Sequence, residues 1–307
     1  MTATIEASRS SRDVPLIAAT VAVVAWGFGP LMVRSLPVSA PSIIVFRLGF
    51  AIPVMIAVAY LTGGRMTFAV LRAALLPGVL FALSMMASFE SYKSTSIALA
   101  ALIPALQPAL VLVIATRFFG ERSSARQFGF AAAAIVGVIG MVLVSDKTSG
   151  TAMRGNLYAV VNLLLWTAYF VQVKRIRSTG VHSWSFLASV FTVGACVAIP
   201  WGLIVSTDLD KVGGSDWFFI GLMVVGPGLI GHGLMTWAQR HLDLGLASLL
   251  TLTSPIITAI GAWIIYDEGL RALQAAFAVL VLAALSGIVI ENRGRMLAQT
   301  LLSGPVE

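Results

Sequence analysis

Ten stretches of this chain are almost continuously apolar, and each is long enough to cross a bilayer. They cover residues 14–33, 41–61, 73–92, 96–116, 127–145, 155–173, 183–205, 217–239, 244–266 and 272–290. A spanning helix needs about 20 such residues. The runs are continuous rather than alternating, which excludes a transmembrane β-barrel. Of the 307 residues 58% are hydrophobic and 11% charged, where a soluble domain carries roughly 25% charged residues. The expected fold class is therefore an all-α integral membrane protein with ten transmembrane helices. The links are short and rich in turn formers ("TGGR", "SDKTSG", "RSTGVHS", "STDLDKVGGSD"), and none is long enough for a soluble domain.

The net charge of +7 is spread over these links and forms no patch, so no nucleic-acid partner is expected. Loop cations instead set topology. Arg9, Arg12, Arg65, Arg72, Arg117, Arg122, Arg126, Lys174, Arg175, Arg177, Arg240, Arg293 and Arg295 lie on the side of the termini. Arg34, Lys93, Lys147, Arg154, Lys211 and Arg271 lie on the other. The excess predicts cytoplasmic N- and C-termini. The N-terminal residues lack a short apolar segment with a small-residue cleavage site, so no removed signal peptide is expected. Cys196, the single cysteine, is expected to pack in the core.

An internal repeat is legible. "ALIPALQPALVLVIATRFFGE" (101–121) resembles "SLLTLTSPIITAIGAWIIYDE" (248–268). Pro108 and Pro255 each stand thirteen residues before a glutamate, Glu121 and Glu268. The same step carries Gly140 onto Gly287. "VVAWGFGPLMVRS" (23–35) is echoed by "LLLWTAYFVQVKR" (163–175), matching Trp26 with Trp166. The expected division is a tail over 1–13, a first five-helix repeat over 14–145, a second over 155–290 and a tail over 291–307. Five is odd, so the second copy enters the membrane inverted. Inverted repeats characterise secondary transporters, with the substrate held between the halves near the midplane.

With its ten spans, the Trp26-Gly27 pair and the two Pro…Glu motifs, the sequence resembles the drug/metabolite transporter superfamily, EamA type, over about residues 14–290. Within it, the overall look is most similar to YddG-like bacterial exporters of aromatic amino acids. The resemblance implies two inverted five-helix halves, a bacterial inner-membrane location and a central cavity for small metabolites. Arg47 in "VFRLGF" matches the family's second-helix arginine, and Glu121 and Glu268 its glutamates after the fourth helix of each half. Thr167 follows Trp166 where Gly27 follows Trp26, so the two first helices of the halves need not bend alike.

The residues themselves nominate a site. Pro30 lacks an N–H and presses on the carbonyl of Trp26, so a kink is expected around Gly27, Gly29 and Pro30. The competing reading is close helix packing through the glycines. Pro108, Pro227 and Pro255 are further expected hinges. Trp26, Phe28, Gln107, Trp166, Tyr169, His232 and Trp237 are the expected cavity lining. Aromatic rings suit an apolar or aromatic substrate, and Gln107 stands beside a carbonyl freed by proline. His232 is the one histidine inside a span, and intramembrane ionisable groups face the bundle interior. It either contacts substrate, carries a proton or bonds a carbonyl. Glu90 and Lys93, three residues apart on one helix face, are expected at the outer mouth. Arg47, two turns into its span, needs an acid, carbonyls or a wet cavity. Glu121 and Glu268 are expected to serve the N-termini of the helices that follow them, and Gln239 to be a solvated end residue.

Other classes lack their machinery. No P-loop, HExxH or GxSxG is present, and no aspartate pair lies within the spans. No enzymatic activity, cofactor or metal is therefore expected. The partners expected are a small-molecule substrate and membrane lipids, with no obligate protein partner. The reading is a secondary transporter exporting small amphipathic metabolites, aromatic or hydrophobic amino acids first, by alternating access. The sequence leaves open a multidrug exporter, a passive channel, a lipid translocator, and either proton coupling or facilitated diffusion.

Overall fold

The computed structural model describes residues 2–118, 123–145, 150–242 and 244–302. It contains ten apolar helical spans, and no strand among the described residues. They are α1 (Thr2–Ser35), α2 (Ala40–Leu61), α3 (Phe68–Ser94), α4, α5 (Ala125–Leu143), α6 (Gly150–Arg177), α7 (Ser183–Val205), α8, α9 and α10 (Ala272–Leu302). Three spans are composite. In α4, Ile97–Leu102 and Gln107–Phe118 flank a 3-10 turn at Pro104–Leu106. In α8, Asp216–Met223 and Gly233–Ala238 flank a wide π-helical stretch, Val224–His232. In α9, Leu244–Thr251 is followed by Thr253–Tyr266.

Polar residues at the span ends mark where helices begin. The Ser96 hydroxyl accepts the Leu99 N–H at 3.3 Å. Ser124 and Gln127 form a reciprocal capping box at α5, which satisfies two otherwise unpaired donors. The outer surface is apolar along its length, as with Leu61, Phe68, Leu143 and Ile264, all well exposed. Such a surface belongs against lipid. Cys196 is on that surface rather than in the core.

Packing follows the repeat. α2 lies against α7, α5 against α10, and α4 against α9, while α3 meets α6 as α8 meets α1. The step of 147 residues that carries Gly140 onto Gly287 also carries Phe130 onto Phe277. A Cβ on Gly140 would stand 2.5 Å from the Phe277 ring, and one on Gly287 would stand 2.8 Å from the Phe130 ring. Each copy thus offers a glycine notch to the other copy's phenylalanine. This reciprocity is what a self-complementary two-fold contact requires. Gly140→Leu and Gly287→Leu should each lower the melting temperature of the detergent-purified protein, by similar amounts, at an overpacking cost of about 1–3 kcal/mol. A tolerated leucine at either position would show that the seam is loose.

The proline-rich stretches behave differently from one another. α4, α8 and α9 each depart from regular α-helix close to Pro108, Pro227 and Pro255. α1 runs as one helix through Gly27, Gly29 and Pro30. Its glycine serves packing. A Cβ on Gly27 would come within 2.8 Å of Ile257 and 3.2 Å of the Ser254 carbonyl, and the Gly27 carbonyl accepts the Thr258 hydroxyl at 2.7 Å. A neighbouring helix thus supplies a hydrogen bond in the turn that Pro30 disturbs, which is how membrane helices tolerate proline.

On the face opposite the termini, the Asp208 carboxylate ties the α7–α8 link to the start of α2. It accepts from the Ser39 N–H and hydroxyl, both at 2.7 Å, from the Ser42 hydroxyl at 2.5 Å and from Ser206 at 3.2 Å. Partial burial raises its pKa, but these donors outweigh it and hold the carboxyl down at about 2, against an ordinary 3.8. A depressed pKa contributes stability above the unfolded value, lost as pH falls through the folded one. Asp208→Asn should therefore melt earlier than wild type by a margin that is constant from pH 8 to 5. The margin should shrink between pH 3.8 and 2, a window set by the same two values. A margin that varies between pH 8 and 5 would rule this linkage out.

Candidate functional site

A cavity of about 170 Å³ lies inside the bundle. One water needs roughly 10–15 Å³ on this measure, so the space suits a molecule of roughly eleven to seventeen non-hydrogen atoms. Spans of both repeats wall it: α1, α2, α3 and α4 from the first, α6, α8 and α9 from the second. Its lining reaches Tyr92, two residues before the end of α3, so it extends toward the face opposite the termini.

The floor is an aromatic cluster. Trp26 and Trp166, related by the repeat, meet edge to face with ring centroids 5.4 Å apart at 84°. The Trp26 indole N–H donates to the Pro227 carbonyl at 3.2 Å. This acceptor lies in the π-helical stretch, and such distortions gather at functional positions. A Cβ on Gly231 would strike the Trp26 ring at 2.6 Å, so glycine there makes room for the indole. His232 is boxed by rings, with centroids 5.2 Å from both Trp26 and Phe81, 5.9 Å from Trp166 and 5.7 Å from Phe191. No carboxylate lines the cavity with it among the described residues. Polar atoms come from Ser84, whose hydroxyl donates to Asn162 Oδ1 at 2.6 Å, and from Ser88, Gln107 and Ser254.

Of the residues expected in the lining, Trp26, Gln107, Trp166 and His232 do line the cavity, with Gly29, Pro30, Pro227 and Pro255. Three do not. Phe28 is 45% exposed on the lipid-facing side of α1. Tyr169 is buried behind the wall, its ring 5.0 Å from Trp166 and 5.7 Å from Phe81. The Trp237 ring lies 4.8 Å from that of His241, tilted at 46°, toward the face of the termini. Gly27 and Pro108 are likewise outside the lining. Phe81, Met85 and Phe89 line it and were not singled out by their residue type, because an apolar residue in an apolar span carries no signal of its own.

Arg47 also lines the cavity. It is 5% exposed, its Nη1 donates to the Met85 sulfur at 3.2 Å, and its guanidinium carbon lies 5.3 Å from the Phe89 ring centre. Glu90 and Lys93 lie outside the lining, and the ion pair among the described residues is a different one. The Lys93 ammonium donates instead to the Leu36 carbonyl.

That ion pair joins Arg34 Nη2 to Glu268 Oε1 at 2.8 Å. Arg34 Nη1 also donates to the carbonyls of Tyr92 at 3.0 Å, Lys93 at 3.3 Å and Thr95 at 3.5 Å, at the C-terminus of α3. Glu268 Oε2 accepts the Ile97 N–H at 3.1 Å. Glu268 thus serves the start of α4 in the other repeat. Glu121 lies outside the described residues. On the face of the termini, the Lys174 ammonium donates to the carbonyls of Gln239 and Leu242, each at 2.7 Å. Gln239 itself is buried rather than solvated. Lys174 stands to Arg34 as Trp166 stands to Trp26, and Gln239 and Leu242 stand to Tyr92 and Thr95 as Pro255 stands to Pro108. The two repeats therefore build one clamp twice, on opposite faces of the membrane. In each, a cation holds the carbonyl end of a helix, the end its dipole makes negative.

Comparison with known proteins decides the family. The model of the EamA-like transporter family matches residues 14–143 and again 153–290. The chain belongs to the EamA-like transporter family. No curated protein matches the sequence. A solved structure described as "Crystal structure of protein" superposes on this EamA-like chain with a TM-score of 0.65 at 18% identity, covering 92% of this chain and 98% of the other. At that identity the likeness concerns the fold. The family makes the chain a multi-pass membrane transporter.

Proposed function

We propose that this EamA-like transporter carries small amphipathic metabolites with an aromatic or apolar portion, aromatic amino acids among them, by alternating access. The direction read from the sequence is export across a bacterial inner membrane, with both termini cytoplasmic. The observation that carries the reading is the aromatic cavity at the junction of the two repeats, floored by the repeat-related Trp26 and Trp166. Rings of this kind pack favourably on an aromatic or apolar substrate. The duplicated clamps of Arg34 and Lys174 supply a matching closure at each face, as exchange between inward- and outward-facing states needs.

The test is reconstitution into liposomes and uptake of labelled tryptophan, phenylalanine, threonine and lysine, with and without a pH gradient. Saturable aromatic uptake with counterflow is expected. Because no acid among the described residues lines the cavity with His232, uptake should be indifferent to the pH gradient. Uptake without saturation or counterflow would indicate a channel. Uptake of none of the four would remove the amino acid reading.

A further inference from the structure

Among the described residues, the cavity lining carries a cation and no anion. Arg47 is 95% buried by its 5% exposure, and its Nε has no hydrogen-bond partner. Its Nη1 donates to a sulfur and its guanidinium lies over a ring face, both weak substitutes for an oxygen acceptor. Gln107 is 2% exposed, lines the same cavity, and its Nε2 is also without a partner. The unpartnered buried side-chain atoms lining the cavity are thus both N–H donors. A buried guanidinium without an acceptor is costly, and planar donor forks suit carboxylates.

We propose that Arg47, assisted by Gln107, is a carboxylate-binding site, and that the transported class is small aromatic or apolar monocarboxylates in which an ammonium group is dispensable. The inference rests on the transport reading above and sharpens it. An amino acid satisfies the site through its carboxylate. Its ammonium finds no acidic partner in the lining and is served by neutral oxygens such as those of Ser84 and Asn162. A deaminated acid loses nothing at this site, whereas an amine lacking the carboxylate adds a second positive charge beside Arg47.

Three probes share one ring and differ in charge: tryptophan, indole-3-propionate and tryptamine. They are compared as competitors of labelled tryptophan in counterflow, and separately as stabilisers of the detergent-purified protein against heat. The propionate should compete at least as well as unlabelled tryptophan, and tryptamine at least ten-fold worse. In Arg47→Gln the two acids should weaken ten-fold or more while tryptamine stays unchanged, and Arg47→Lys should recover part of the loss. Gln107→Leu should weaken the acids by a smaller factor. Tryptamine competing as well as the propionate, or an Arg47→Gln variant in which all three shift alike, would overturn the charge assignment and leave transport intact. Absence of saturable tryptophan counterflow in wild type would strike the transport reading instead. The heat-stabilisation ranking of propionate over tryptamine would still decide the site. That ranking is read on wild type, so it also decides the matter if the Arg47 variants do not fold.

Discussion

Trp26→Ala should reduce tryptophan counterflow by at least ten-fold. The indole closes the cavity floor against Trp166 and His232, fills the notch at Gly231 and ties α1 to the Pro227 carbonyl. Removing a buried tryptophan also costs about 3–5 kcal/mol of stability, so transport must be normalised to protein that elutes as a single folded species. Trp26→Phe separates the two roles. It keeps a ring on the floor and loses only the N–H to Pro227, so it should retain most of the stability and a measurable share of transport. Trp166→Ala, at the related position, should behave like Trp26→Ala. Wild-type rates from the folded Trp26→Ala protein would remove the cavity from the substrate's route.

Breaking the clamp opposite the termini should have the next largest effect. Arg34→Leu takes the cation from Glu268 and from three carbonyls at the end of α3. The Arg34 and Glu268 side chains are only 24% and 19% exposed, so solvent repays little of the loss. Hydrogen bonds to charged groups are worth about 1.5–3 kcal/mol, and a drop in melting temperature of about 5 °C or more is expected. Glu268→Gln should cost less, because an amide oxygen can still accept from Ile97 or from Arg34. The double variant decides whether the pair acts as a unit. A coupling of about 1 kcal/mol is expected, and strict additivity would show that each side chain works alone.

How far these features could be read in the chain depends on what signals each. The ten spans follow from hydropathy, because a bilayer imposes length and apolarity on whatever crosses it. The repeat was legible wherever a residue is chemically distinctive: Trp26 with Trp166, Pro108 with Pro255, Gly140 with Gly287. The same steps relate Arg34 to Lys174 and Phe130 to Phe277, and following them would have disclosed the clamps and the seam. Orientation was not legible. Trp26 and Phe28 are two positions apart in one apolar helix, yet one floors the cavity and the other faces lipid. In water that difference would appear as an amphipathic stripe. In a membrane both faces are apolar, so periodicity says little about which turns inward. How Pro30 is accommodated was hidden for a related reason. Whether a proline bends a helix depends on what the neighbour donates, and Thr258, which bonds the Gly27 carbonyl, lies 231 residues away in the chain.

The glycine–phenylalanine seam between α5 and α10 has a thermodynamic corollary. Gly140 receives Phe277 and Gly287 receives Phe130, so in the proposed alternating-access cycle a pivot along this seam would be indifferent to which face of the membrane the bundle opens toward. Were the two halves identical throughout, the inward and outward arrangements would be isoenergetic. Any resting bias must then reside where the copies diverge. The divergences on view are Gly27 against Thr167, the Asp208 tether confined to one face, and the clamps themselves. At the clamps, a forked guanidinium at Arg34 faces an ammonium point charge at Lys174. Under the proposed alternating access, the seam supplies the degeneracy, and a few polar side chains near the membrane surfaces set the balance.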